Sequence, residues 1–89
     1  MNGIRFYEEL DNKNRKGEIS QGNVIARVLG QDRITDNGVM CETISALFFH
    51  PNSVVCGSAA SLNYIYKNCR RISEEKAREI HPNLFVYLD

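Results

Sequence analysis

Lys67, Arg70, Arg71, Lys76 and Arg78 place five positive charges within twelve positions. Paired guanidinium groups can clamp a phosphate or carboxylate through two parallel hydrogen bonds. A helix starting after Ser73 would add free backbone N–H groups beside them. An aromatic ring bordering such a site could stack on a base, and Tyr64 suits that role better than Phe48, whose place is in a core. Arg27 is a second kind of candidate. It sits among Val24, Ile25, Val28 and Leu29, so it either faces water, which is the expectation, or points into a polar pocket. The candidate ligand contacts are therefore Arg70, Arg71, Arg78, Lys67, Arg27, Tyr64 and Ser73. The same residues also have a purely structural reading: Arg70 and Arg71 complement a helix end, and Glu74 with Arg78 forms an i, i+4 surface pair.

Other chemistries find little support. His50 and His81 each precede a proline, as turn and cap residues do. Cys41, His50, Cys56, Cys69 and His81 lack the short paired spacing of a zinc site, so no metal is expected. Glu8 and Glu9 would face opposite sides of a strand, and Glu74 and Glu75 suit the first turn of a helix, so neither pair resembles acid/base machinery. Gly22 and Gly30 bracket a strand and form no phosphate-binding glycine loop. Nothing arranges a nucleophile, a base and an oxyanion donor, which argues for a non-enzymatic protein without a cofactor.

The bulk properties narrow the partners. The 89 residues are 43% apolar and 25% charged, the balance of a folded chain and the size of one domain, residues 1–89. So short a chain has a modest core, which makes a homo-oligomer an expectation. Eleven basic and eleven acidic residues cancel, giving a pI near 6.7, so nothing in the overall charge seeks nucleic acid or an anionic membrane. The N-terminal stretch is acidic where a signal peptide is apolar, and no apolar run approaches the ~20 residues of a membrane span. A cytoplasmic location follows as the expectation. Cys41, Cys56 and Cys69 lie 15 and 13 residues apart, an odd count that reads as reduced, mostly buried cysteines.

Four strands and a helical tail must position these groups. Residues 3–10 alternate Ile4, Phe6, Glu8 and Leu10 against Arg5, Tyr7 and Glu9, the period of a strand with one buried face. Residues 11–22 are polar and glycine-bearing, a long hairpin connection, and residues 23–29 resume a β-branched run. Residues 30–38 read as a loop closed by the Asn37–Gly38 turn. A third strand follows from Val39 to about Phe49, with Met40, Ile44, Ala46 and Phe48 on one face and Val39, Cys41, Thr43, Ser45, Leu47 and Phe49 on the other. Apolar groups on both faces make it central in its sheet or part of an oligomer interface. Residues 50–53 are a turn preset by Pro51, and a short fourth strand ends at Gly57. From Ser58 the spacing turns helical through Leu62, Ile65, Cys69 and Ile72, with Ser58 or Ser61 as the cap. Ser73 caps a second helix, and Pro82 opens a last one that buries Leu84, Phe85 and Leu88. The fold class is α+β: a small antiparallel sheet of about four strands over residues 1–57, then two or three short helices over residues 58–89 packed on one face.

In this order of parts, and locally in NYIYKNCRRISEEKAREIHPNLFVYL, the chain resembles phage anti-Thoeris proteins. The resemblance implies a phage-encoded, oligomeric sponge working in the host cytosol, holding a nucleotide-derived immune signal of the cyclic ADP-ribose type between subunits without turning it over. An alternative reading of the apolar load in the third strand and the C-terminal helix is a protein-interaction module that covers a host protein.

Overall fold

A computed structural model describes residues 1–10, 12–13, 19–20, 23–47 and 50–89. The elements run β1 (Ile4–Glu9), β2 (Asn12–Lys13), β3 (Ile19–Ser20), β4 (Val24–Val28), β5 (Arg33–Thr35), β6 (Gly38–Leu47), β7 (His50–Ser61), α1 (Leu62–Asn68), β8 (Cys69–Ile72), α2 (Glu74–Ile80) and α3 (Pro82–Leu88). The class is α+β, as the sequence predicts, with six strands in the main sheet where about four were expected. Every pairing is antiparallel, and the strands lie in the order β8-β1-β4-β6-β7. β5 pairs with the start of β6, on the edge that β4 occupies further along. β2 and β3 form a separate two-stranded ribbon.

The third predicted strand is β6, and it is central: β4 and β5 flank one edge and β7 the other. Its even-numbered apolar residues and odd-numbered residues face opposite sides, as the alternation requires. Phe48 and Phe49 lie outside the described residues. One side of the sheet buries Phe6, Val24, Ala26 and Ala46 against Ala77, Leu84 and Phe85 of α2 and α3. The other buries Tyr7, Ile25 and Cys41 against Ile65 of α1. The helices therefore cover both faces, not one, and β1 has both its faces buried: Phe6 and Tyr7 are 3% and 5% exposed.

Three boundaries differ from the sequence reading for identifiable reasons. Gly57 does not end the fourth strand. Thr43 pairs with Ser58 and Ser45 with Val55, so Cys56 and Gly57 together oppose Ile44. This bulge needs the positive φ of 63° that Gly57 takes without strain. The strand then continues to Ser61, which is the true helix cap: its Oγ accepts from the Tyr64 N–H at 3.0 Å. The backbone of residues 50–53 belongs to β7 and is not a turn. The first helix stops at Asn68, and Cys69–Ile72 returns as β8 against β1, Phe6 pairing with Ile72 and Tyr7 with Arg71. Three apolar positions, Ile65, Cys69 and Ile72, fit a helical period while spanning two elements. The rest of the tail matches expectation. Ser73 Oγ accepts from the Lys76 N–H at 3.0 Å, Pro82 opens α3, and Leu84 and Phe85 are buried.

Candidate anion-binding site

Adjacent residues of a strand point to opposite faces, so Arg70 and Arg71 do not meet. Arg70 shares the α2/α3 side with Glu8, its register partner, and its Nη2 and Nε donate to Glu8 Oε1 at 2.7 and 3.1 Å. Arg78 is engaged as well. Its guanidinium lies 4.2 Å over the Phe85 ring, donates to both carboxylate oxygens of Asp89 at 3.0 Å and reaches Glu74 at 3.2 Å. These bonds raise the Arg78 pKa and lower that of Asp89. The predicted Glu74–Arg78 pair is thus present. Tyr64 donates its hydroxyl to Glu9 Oε2 at 2.5 Å. Burial first, and then this bond to a carboxylate, hold the phenol well above its ordinary pKa. Lys67 is exposed at the end of α1, and Ser73 is occupied as a cap.

Arg27 corrects the expectation of exposure. It is 8% exposed and its Nη2 donates to Asp32 Oδ2 at 2.6 Å. That bond raises the Arg27 pKa more than burial lowers it, so the guanidinium stays charged. The same bond lowers Asp32. Arg27 Nε is buried with no acceptor, an unsatisfied donor that is costly unless something meets it.

The register brings a different set of arginines together. Arg5 pairs directly with Arg27 across β1 and β4, while Tyr7, two positions along β1, pairs with Arg71 of β8. Arg5, Arg27 and Arg71 therefore share the α1 side of the sheet as direct and diagonal neighbours, at the ~5 and ~7–8 Å spacings of cross-strand positions. Arg5 and Arg71 are exposed and have no ion-pair partner among the described residues. Both line a cleft of about 460 Å³ at the end of β1 and β8, together with Met1, Ile4, Phe6, Ile72, Ser73 and Glu74. Glu74 is already paired with the Met1 ammonium and with Arg78. Strand alternation in residues 3–10 was sufficient to place Arg5 beside Tyr7. Only the register of β4 and β8 could bring Arg27 and Arg71 next to it.

Neither Cys41 nor Cys69 is an activated thiol. Burial pushes the Cys41 thiol up, and burial with nearby Glu9 pushes Cys69 up to about 11. Cys56 is exposed, unlike the mostly buried set expected. Among the described residues no group of three or more His, Cys, Asp or Glu could hold a metal ion, and no helix is long and apolar enough to cross a membrane.

Fold and site together describe a small α+β protein whose sheet carries an arginine cluster beside an open cleft. No family model, no curated protein and no solved structure matches the chain.

Proposed function

We propose that this protein is a non-enzymatic binding protein that captures a small anionic, nucleotide-derived ligand, in the manner of the phage immune-signal sponges that its layout resembles. The supporting observation is that Arg5 and Arg71, exposed and without ion-pair partners among the described residues, line one cleft with Arg27 in register behind Arg5. Asp32 already neutralises Arg27, so Arg5 and Arg71 carry the unbalanced charge that an anion would meet. Ile4 and Ile72, half-buried on the α2/α3 side of the same strands, line the far wall of the cleft and offer apolar surface to a base, and Glu74 offers an acceptor for a ribose hydroxyl. Of the residues singled out from sequence, Arg71 and Arg27 remain in this reading. Ser73 lines the cleft as well as capping α2, whereas Arg70, Arg78 and Tyr64 serve the fold and Lys67 stands outside the cleft lining.

The test is a thermal-shift panel of cyclic and linear nucleotides, cyclic ADP-ribose included. A ligand at one hundred times its Kd adds about 2.7 kcal/mol, or roughly 10 °C or more in a domain of this size. The shift should disappear in Arg5→Glu and Arg71→Glu and persist in Lys67→Glu. No shift across the panel sinks the reading.

A second reading, a surface for a host protein, has one observation in its favour. Val86 and Tyr87 on the outer side of α3 are 81% and 55% exposed. β6, the other surface expected to serve it, has both edges paired and offers only its faces.

A further inference from the structure

We propose that β7 is the seam of a symmetric homodimer, the free edge of this strand adding antiparallel to the same edge of a second copy. β7 is twelve residues long and among the described strands pairs only with β6. Ser53, Val55, Cys56, Gly57 and Ala59 are exposed along it. An unpaired strand of this length is a template for another strand, and proteins ordinarily blunt such edges with charge, brevity or bulges. The other edges here are blunted: β8 has four residues including Arg70 and Arg71, and β5 has three, beginning with Arg33. β7 contains no Asp, Glu, Lys or Arg. Its defences are Pro51 near the start and the bulge at Gly57.

The absence of charge favours a second copy over a foreign strand. Near a twofold axis a strand meets its own residues, so a lysine or glutamate close to the axis would face or closely neighbour its like. β7 is self-compatible in that respect. The bulge divides it into a valine-bearing half, residues 53–55, and a half of serine and alanine, residues 58–61. Antiparallel pairing about an axis near Gly57 sets the larger side chains of one copy against the smaller ones of the other. Tyr87 of α3, the helix that packs against β7, adds exposed surface beside the seam. Because β8 is the opposite edge of the sheet, the arginine cleft stays open in each copy, and the dimer stands or falls independently of ligand capture.

Sedimentation equilibrium of the full chain, from low to high micromolar concentration, tests the seam. The wild type should dimerise, Val55→Lys and Ala59→Lys should each weaken the dimer by about tenfold or more, and Ile34→Lys, on the exposed β5 strand, should leave it unchanged. A wild-type monomer throughout, or a dimer that survives both seam variants, overturns the proposal. Should a lysine variant fail to fold by circular dichroism, hydrogen exchange of the wild type decides. Amides of residues 53–61 should slow as concentration rises while those of residues 33–35 do not, and concentration-independent exchange refutes the seam.

Discussion

Removing residues 82–89 separates two views of the C-terminal helix, as a docking tail or as part of the core. Leu84 and Phe85 are 0% and 2% exposed, and the Phe85 ring packs 5.2 Å from that of Phe6 at a 40° tilt. Phe85→Ala alone should cost about 3–5 kcal/mol, transfer and cavity together. A domain of 89 residues has roughly 4–13 kcal/mol in total, so deleting both anchors should unfold the chain. The single substitution is the measurable case. At ~4–8 °C per kcal/mol, a loss of ~3 kcal/mol lowers Tm by roughly 12–24 °C. With m near 1–3 kcal/mol/M it moves the urea midpoint by about 1–3 M. Val86→Ser, on the exposed side of the same helix, should change stability by no more than ~0.5 kcal/mol. A truncated chain that still unfolds cooperatively within a few degrees of the wild type would refute this placement of α3 and restore the docking tail.

Arg5→Gln should leave Tm within a few degrees of the wild type in the absence of ligand, because Arg5 is exposed with no ion-pair partner among the described residues and Asp32 already neutralises Arg27. A larger fall in Tm would show that Arg5 serves the fold. Alkylation of the native protein at pH 8, followed by mass spectrometry, should modify Cys56 first, with Cys69 slow because its thiol titrates near 11 and Cys41 slow because it is buried. Equal rates would contradict the packing of α1. Asp32 has a folded-state pKa below its unfolded value, so its contribution is fully present above about pH 4 and is lost as pH falls through the folded value. The stability difference between wild type and Asp32→Asn should therefore shrink below about pH 4 in urea titrations. A difference undiminished at about pH 2 would remove the Asp32 carboxylate as its source.

The legible parts of the fold were those written in local chemistry. Ser73, Pro82 and the Asn37–Gly38 turn each act within a few residues, and the two-faced pattern of residues 39–47 marked a central strand without reference to its neighbours. β8 was not legible. Cys69–Ile72 is four residues long, follows α1 directly and keeps its helical spacing, and it is a strand because β1 offers it a ladder, a partner more than sixty residues away. Arg27 failed for a related reason. Asp32 lies five positions further along, and only the course of the chain through Gly30, at a φ of 83°, returns that carboxylate to it. A cation amid apolar neighbours then becomes the buried half of an ion pair whose carboxylate is exposed.

That one misassigned element changes the chemistry more than the architecture. On a helix, Arg70 and Arg71 would have lain about 100° apart near one end, close enough for two guanidinium groups to share an anion. On a strand they diverge, and Glu8 neutralises one of them. Alternation removes Arg70 from the cluster but also puts Arg71 on the side that carries Arg5 and Arg27, each drawn from a different strand. The charges in the C-terminal tail were therefore a poor guide to the site, because a sheet gathers residues by register and not by proximity in sequence. An anion held here would bridge β1 and β8, and would tie the sheet's outermost strand to its neighbour. Ligand binding should accordingly protect the β8 amides from exchange more than those of β6, which is already paired on both edges.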